Sequence, residues 1–174
     1  AGAAVDPERI VLLSGTSEGY SHLLRLLCEP DDEILVPAPS YPLFEFLADL
    51  NDVRLVTYPL IYDHGWQMDL RALREAFTPR SRAVMVVHPN NPTGSFVKPR
   101  EAAELAEICA AHNAAIVADE VFLDYAWGAD ATPGANIPAV ARPLPGTTAA
   151  RTFAHGGAAL TFTLSGLSKI CALP

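Results

Sequence analysis

Short aliphatic runs alternate with stretches of helical periodicity over most of this 174-residue chain. Runs rich in Val, Ile and Leu and bounded by Gly, Pro, Asn or Asp are typical of strands, whereas apolar residues three or four positions apart are typical of helices. The predicted strands are Ile10–Leu13, Ile34–Val36, Val53–Tyr58, Arg82–His88, Ala114–Ala118 and Ala159–Ser165. The predicted helices begin near residue 16 and at Leu43, at Leu70 after an Asp69 N-cap, and at Glu101.

This alternation predicts the fold class. Because strands joined by helices run parallel, and parallel sheets are covered on both faces, we expect an α/β domain with three layers, α-β-α, and a mostly parallel sheet. A length of 174 residues is typical of one domain. Residues 128–157 are rich in Ala, Pro, Thr and Gly and have no usable periodicity, which predicts a functional lid or a flexible, disordered insertion within that domain, and we favour the insertion.

Composition and charge exclude several classes of protein. The net charge of −8 argues against a nucleic-acid-binding surface, which needs clustered Lys and Arg. No apolar run approaches the roughly 18 residues of a membrane-spanning helix. The three cysteines are an odd number without the spacing of a metal site, which favours a reducing compartment. We therefore expect a cytoplasmic protein that has no metal centre and that binds neither nucleic acid nor membrane.

Small polar residues open the first predicted helix. Ser14, Gly15, Thr16 and Ser17 stand where backbone N–H groups and the positive end of the helix dipole can bind an anion without a basic side chain. A simple helix cap is the alternative for these residues. The segment therefore predicts either a phosphate site or a cap.

The same segment also contains the spacing Gly-x-Ser-x-Gly. In hydrolases this spacing places a nucleophilic serine on a sharp turn between a strand and a helix. In that alternative Ser17 is the nucleophile, Asp119 the acid and His155 the base. The hydrolase alternative leaves Asn91 and Lys169 without a role.

Polar residues also follow the ends of later predicted strands. Asn91 lies in a polar turn, and Asp119 follows a buried strand, where a carboxylate needs a cation or hydrogen-bond donors. Lys169 follows the last strand after a turn that contains Ser165 and Ser168. Ligands of such sheets bind at the carboxyl ends of the strands, so we expect these side chains to converge on one edge. Taken singly, each has an ordinary alternative, namely a turn, a cap or salt bridge, and a surface lysine.

Five motifs occur in order along the chain and start at residues 14, 39, 90, 118 and 165. They are Ser-Gly-Thr-Ser-Glu-Gly, Pro-Ser-Tyr-Pro, Asn-Asn-Pro-Thr-Gly, Ala-Asp-Glu-Val-Phe and Ser-Gly-Leu-Ser-Lys. This string resembles the large domain of class I/II aminotransferases, which are fold type I enzymes that use pyridoxal 5′-phosphate (PLP). The resemblance covers the chain except residues 128–157. It implies transfer of an amino group between an amino acid and a 2-oxo acid.

The resemblance implies a role for individual residues. Lys169 would form the Schiff base with the cofactor and move a proton between the substrate and the cofactor. Asp119 would pair with the pyridine nitrogen, Asn91 would donate to the O3′ oxygen, and Tyr41 would stack on the ring. The residues implied for the phosphate are Gly15, Thr16 and Ser17, with a hydroxyl from Ser165 or Ser168.

The sequence departs from the family pattern in two respects. The family commonly has a tyrosine three positions after the aspartate, where this chain has Phe122. Asn91 would then be the lone donor to O3′, which should raise the pKa of the Schiff base. Family members are usually more than twice this length and form homodimers. We therefore expect residues 1–174 to be a PLP-binding large domain that is truncated at both ends.

Other activities share the same cofactor motifs. β-Lyases and decarboxylases of this fold type differ from aminotransferases in which bond at the substrate Cα is held perpendicular to the ring. A non-catalytic PLP-binding module is a further alternative. The motifs alone therefore predict the cofactor more directly than the reaction.

Overall fold

The computed structural model describes residues 4–125 and 152–171, and six strands in these ranges form one sheet of order β3-β2-β1-β4-β5-β6. The strands are β1 Glu33–Ala38, β2 Arg54–Tyr62, β3 Trp66–Met68, β4 Ser81–Val87, β5 Ala115–Asp119 and β6 Thr161–Leu164. The α-helices of these ranges are α1 Thr16–Leu27, α2 Leu43–Leu50, α3 Leu70–Ala76, α4 Pro99–Ala111 and α5 Leu167–Ile170. Short 3₁₀ helices cover Pro7–Arg9, Leu123–Tyr125 and Phe153–His155.

The sheet has helices on both faces. β2, β1, β4, β5 and β6 pair in parallel, and β3 pairs antiparallel with β2. Successive side chains of a strand point to opposite faces. Ile34 and Val36 accordingly lie in a core with residues of α1 and α2, whereas Leu35 lies in a second core with residues of α3 and α4. The predicted three-layer α/β fold with a mostly parallel sheet is confirmed.

The order of the strands reverses between β1 and β4. From β1 the chain passes to β2 on one side and then crosses to β4, β5 and β6 on the other. In open α/β sheets such a reversal leaves a crevice at the carboxyl ends of the strands. Asp119 at the end of β5 is in register with Val87 of β4 and Leu164 of β6. The ends of these three strands therefore lie side by side.

The predicted strand Ile10–Leu13 is wrong. These four side chains are 40% to 89% exposed, and they have no regular secondary structure. A strand must pair its N–H and C=O groups with a neighbour, and no strand within the described ranges pairs with this segment. Leu13 instead packs at the start of α1, where a Cβ on Gly19 would lie 3.2 Å from it and 3.1 Å from Leu164.

The hairpin formed by β2 and β3 was not predicted from the sequence. Leu60 pairs with Met68, and Tyr62 pairs with Trp66. A strand of three residues is too short for alternating polarity to reveal it. The hairpin is tied to α4, because the backbone N–H of Met68 donates to Glu101 at 3.1 Å.

Most of the predicted insertion, residues 128–151, lies outside the described residues. Its last part, residues 152–157, contains the 3₁₀ helix Phe153–His155. Thr152 is 6% exposed. Its hydroxyl donates to Glu120 at 2.7 Å, and the backbone N–H of Phe153 donates to the same carboxylate at 2.6 Å. These bonds fix residues 152 and 153 to the carboxyl end of β5.

In the described ranges no helix is long and apolar enough to cross a membrane.

Candidate cofactor site

The amino end of α1 offers backbone N–H groups to an anion. Gly15 is the N-cap residue, and no side chain caps the helix there. A Cβ on Gly15 would have no neighbour within 4 Å, so the space beside it is open. Ser14 is turned away from a capping role, because its backbone N–H and hydroxyl donate to Glu18 at 2.7 and 2.8 Å. Thr16 is half-buried, and Ser17 is exposed.

Asp119 ends β5 and is half-buried. Its Oδ2 accepts a hydrogen bond from the Tyr20 hydroxyl at 2.6 Å, and its Oδ1 accepts one from the backbone N–H of Val121 at 3.1 Å. Burial raises the pKa of the Asp119 carboxyl, although these two hydrogen bonds act in the opposite direction. A cation beside Asp119 would favour its charged form. The position therefore suits a ligand that carries a protonated nitrogen.

Glu120 has a different role from its neighbour. It is 3% exposed, and its carboxylate accepts the hydrogen bonds from Thr152 and Phe153 described above. Burial raises the pKa of the Glu120 carboxyl, while these bonds lower it. Glu120 is thus a structural anchor, and Asp119 is the carboxylate of the pair that belongs to the candidate site.

Lys169 lies close to the loop that follows Asp119. The backbone N–H of Glu120 donates to the carbonyl of Leu164 at 2.8 Å, which holds the end of β6 against that loop. Lys169 lies in α5, one turn after β6, and its Nζ is 6.0 Å from the centroid of the Phe122 ring. Cation–π attraction extends to about this distance. The structure therefore brings Lys169 and the segment after Asp119 together.

Ser165 and Ser168 belong to the turn that leads to Lys169. Both are exposed. Between them, Gly166 packs on the loop after β5, since a Cβ there would lie 3.7 Å from both Val121 and the Ser168 hydroxyl. The turn thus follows the end of β6 directly and carries two hydroxyls beside the lysine.

Tyr41 and Asn91 lie in the loops on the two sides of the strand reversal. Asn90 ties these loops together, because its Nδ2 donates to the carbonyl of Pro39 at 3.1 Å and to the Thr93 hydroxyl at 3.0 Å. Tyr41 is 49% exposed, and Asn91 is also exposed. The structure therefore places both residues at the crevice edge with accessible side chains.

Tyr20 is the residue of this edge that sequence analysis missed. Its side chain is 2% exposed and packs edge-on against Phe44, with ring centroids 5.3 Å apart. On the helical face that also carries Leu23 and Leu24, it resembles an ordinary core aromatic. The usable signal was chemical, because a buried tyrosine hydroxyl needs a hydrogen-bond partner.

The hydrolase alternative does not fit this geometry. A nucleophile elbow needs a strand directly before the serine, and residues 10–13 form none. Ser17 is the second residue of a regular helix. Asp119, the acid of that alternative, is engaged with Tyr20 and Val121. The Gly-x-Ser-x-Gly spacing here is part of a helix start.

The donor set at this edge fits PLP. The cofactor needs donors for a phosphate, a carboxylate beside its pyridine nitrogen, and an amine for its aldehyde. The phosphate donors are at the amino end of α1, the carboxylate is that of Asp119, and the amine is that of Lys169.

Residues 4–125 and 152–171 contain no group of three or more His, Cys, Asp or Glu side chains that could hold a metal ion.

Comparisons with known proteins agree on one family. The sequence model of "Aminotransferase class I and II" matches residues 1–174. The chain is 36% identical over 118 residues to the glutamate-pyruvate aminotransferase AlaA of Escherichia coli K12, which covers 68% of this chain and 29% of that protein. It is 37% identical over 123 residues to the probable N-succinyldiaminopimelate aminotransferase DapC of Mycobacterium tuberculosis. This match covers 70% of this chain and 31% of that protein.

Solved structures show the same similarity. The N-succinyldiaminopimelate aminotransferase of Mycobacterium tuberculosis superposes with a TM-score of 0.77 at 31% identity, over 97% of this chain and 40% of that one. The PLP-bound C-S lyase of Staphylococcus hominis shares the fold, with a TM-score of 0.79 at 24% identity. The superposition covers 97% of this chain and 39% of that one. The chain therefore spans well under half the length of these relatives.

Proposed function

Since this chain belongs to the class I and II aminotransferases, we propose that it is the PLP-binding part of an enzyme that transfers an amino group from an amino acid to a 2-oxo acid. Family membership supports PLP as the cofactor. The observation that carries the proposal is the convergence of the α1 amino end, Asp119 and the Lys169 segment at the carboxyl ends of β5 and β6.

Bound PLP supplies an electron sink that weakens the bonds at the substrate Cα. The amine of Lys169 is the group that would hold the cofactor covalently and would move the proton at the substrate Cα. The Asp119 carboxylate keeps the pyridine nitrogen protonated, because an anion beside that nitrogen favours its charged form. The half-buried position of Asp119 strengthens this interaction, since water screens it less.

The remaining residues orient the cofactor. Tyr41 would stack on the ring, and Asn91 would donate to O3′. The exposure of both side chains at the crevice is consistent with these roles. The proposed phosphate site consists of the backbone and side-chain donors of Gly15, Thr16 and Ser17, with a hydroxyl from Ser165 or Ser168.

The proposal also includes the setting of the whole protein. We propose an amino acid and a 2-oxo acid as its small-molecule substrates, and a homodimer as its assembly, as the family resemblance implies. A cytoplasmic location agrees with the free cysteines Cys28, Cys109 and Cys171.

The test is incubation of the whole enzyme, of which this chain is proposed to be the PLP-binding part, with PLP and a panel of amino acids while the cofactor spectrum and the products are followed. We expect a spectrum that changes on PLP binding, and a 2-oxo acid that keeps the side chain of the amino acid consumed. The Lys98→Ala variant is the control and should behave as the unmodified protein. Release of ammonia with a shortened side chain, or of carbon dioxide, would contradict transamination in favour of a lyase or a decarboxylase. An unchanged cofactor spectrum would contradict PLP binding.

A further inference from the structure

Helix α1 contacts the candidate site at two places. Its amino end offers N–H groups at Thr16 and Ser17, and its next turn carries Tyr20, whose hydroxyl bonds Asp119. Ala115 and Val117 of β5 lie in one core with residues of α1. Asp119 is two positions after Val117, so its side chain points to the same face of the sheet. The carboxylate therefore lies on the face of the sheet that α1 covers.

The hydrogen bond from Tyr20 to Asp119 has the features of a strong one. A hydroxyl that donates to a carboxylate forms a shorter and stronger bond than neutral partners do, and here the O–O distance is 2.6 Å. Burial is the main reason that the pKa of Tyr20 lies well above its usual value, so the hydroxyl keeps its proton. Its ring is fixed by burial and by the edge-on contact with Phe44.

The other carboxylate oxygen is also held, since Oδ1 accepts from the backbone N–H of Val121. Each carboxylate oxygen has two acceptor positions. With one donor on each oxygen, the orientation of the Asp119 side chain is set, and an acceptor position remains for a further donor.

From this geometry we infer that Tyr20 is a positioning residue, whose hydroxyl holds the Asp119 carboxylate ionised and oriented for the pyridine nitrogen of the bound cofactor. The inference rests on the proposed function. It adds that a single helix sets the position of both ends of the cofactor, since α1 offers its amino end to the phosphate and Tyr20 to the partner of the ring nitrogen.

Removal of the Tyr20 hydroxyl should move a proton within the pair. Without that donor, burial favours the neutral form of Asp119 more strongly. The proton that the pyridine nitrogen carries then shifts towards the carboxylate, so the ring loses positive charge while the total number of protons in the pair is unchanged. A substitution at Tyr20 should thus be visible at the ring nitrogen itself.

The experiment uses the protein loaded with ¹⁵N-labelled PLP and compares Tyr20→Phe with Tyr58→Phe. Tyr58 is a matched control, because it is fully buried in the core on the opposite face and donates to the backbone carbonyl of Met85 at 2.8 Å. We expect Tyr20→Phe to move the ring ¹⁵N resonance towards that of unprotonated pyridine and to raise the Kd for PLP about tenfold. Tyr58→Phe should leave both quantities unchanged.

The Asp119→Asn variant separates this inference from the proposed function. If the unmodified protein fails to bind PLP, or if Asp119→Asn leaves the ring ¹⁵N resonance in place, the proposed function itself is wrong. If Asp119→Asn moves the resonance and Tyr20→Phe does not, only the role of Tyr20 is overturned. In the Asp119→Asn background, Tyr20→Phe should not weaken PLP binding further. If Tyr20 had a purely structural role, the losses of PLP affinity from the two substitutions would instead add.

A second variant covers the case in which Tyr20→Phe does not fold. Replacement of Tyr20 by 3-fluorotyrosine keeps the shape of the ring and makes the phenol a stronger donor. The carboxylate then accepts less from the ring nitrogen, so the N–H bond shortens and the ¹⁵N resonance should move towards that of free pyridinium. A resonance that fluorination leaves in place would overturn the role of Tyr20.

Discussion

The two edges of the sheet differ in how their polar side chains are used. At the amino ends of the strands, polar side chains are paired within the chain. The Arg82 guanidinium donates to the buried Asp32 carboxylate at 2.8 and 3.3 Å. The buried Glu33 accepts from the hydroxyls of Thr78 and Ser81. These groups satisfy one another and stabilise the fold.

At the carboxyl ends, the pairs of Tyr20 with Asp119 and of Thr152 with Glu120 lie among several exposed polar side chains. Ser17, Tyr41, Asn91 and Ser168 are exposed at or near this edge. Asp119 is oriented by two donors and retains acceptor positions. The edge at the amino ends thus has polar groups that stabilise the fold. We call the edge at the carboxyl ends, which carries Asp119 and Lys169, the ligand edge, because ligands of parallel α/β sheets bind there. Substitutions at the amino ends should therefore lower the free energy of unfolding, and substitutions at the carboxyl ends should lower PLP binding or turnover.

The largest expected effect is that of Lys169→Ala at the ligand edge. In the proposed function, loss of the amine would remove both covalent attachment and proton transfer, so turnover of the whole enzyme should fall by about 10²-fold to 10⁴-fold or more. The free energy of unfolding should fall by less than about 1 kcal/mol, because Lys169 is exposed and its contact with the Phe122 ring lies at the surface. Steady-state kinetics and urea unfolding measure the two quantities, with Lys98→Ala as the control. Turnover close to that of the unmodified enzyme would remove Lys169 from the mechanism.

Asp119→Asn should have the next largest effect. A neutral amide cannot hold the pyridine nitrogen protonated, and we expect turnover to fall by more than about tenfold. The shape of the side chain is nearly kept, so the loss of stability should be much smaller than the loss of turnover. Turnover assays and thermal unfolding of the same preparation compare the two. A variant that retains a tenth or more of the turnover would mean that Asp119 is only a structural partner.

At the amino-end edge, Arg82→Ala should affect stability and leave PLP binding intact. Hydrogen bonds from Arg82 and from the backbone of Glu29 lower the pKa of Asp32. Because the Arg82 side chain is 43% exposed, we expect a loss of only about 1 kcal/mol at neutral pH. Urea unfolding at several pH values and PLP titration measure the two effects.

The pH dependence of this loss has a definite sign. A carboxyl with a lowered pKa stabilises the fold above its ordinary pKa, and this contribution is lost as the pH falls through its value in the folded protein. The difference between Arg82→Ala and the unmodified protein should therefore shrink in acid. Arg71→Ala is the control, because Arg71 and Glu75 form a well-exposed pair, 87% and 65% exposed. If the difference in unfolding free energy between Arg82→Ala and the unmodified protein did not depend on pH, or if Arg82→Ala weakened PLP binding, the two edges would not have the separate roles described here.

The smallest effect is expected for Phe122→Tyr. Phe122 lies beside Lys169, and a hydroxyl on its ring would provide a second donor to the cofactor O3′. That donor stabilises the phenolate and should lower the pKa of the Schiff base, with turnover changed by less than about tenfold. Absorbance of the PLP-loaded protein as a function of pH measures this pKa. The same pKa in both proteins would show that residue 122 does not reach O3′.

The parts of the fold that the sequence predicts are those decided by local pattern. Unbroken aliphatic runs correctly predicted β4 and β5, because strands buried on both faces must be apolar throughout. The run Ile10–Leu13 has the same composition, yet it forms no strand, since strand formation depends on a neighbour that local composition does not specify. Trp66–Met68 forms a strand without a pattern of its own because it pairs with β2.

The candidate site was predictable where a residue is out of place in its context. A carboxylate after a buried strand made Asp119 a candidate, and a hydroxyl-rich turn made Lys169 one, but each had an ordinary alternative until the order of the five motifs was considered. For Tyr20 the signal was limited to the need of a buried hydroxyl for a partner, and the sequence does not identify that partner as Asp119, 99 residues away. The cofactor roles of these residues remain predictions.

We propose that the ligand edge binds PLP through Lys169. Borohydride reduction of the PLP-loaded protein, followed by peptide mapping, tests it directly, because Lys98 and Lys169 are the two lysines of the sequence. We expect one reduced cofactor label, on the peptide that contains Lys169. A label on Lys98, or a folded PLP-loaded protein with no labelled lysine, would contradict it.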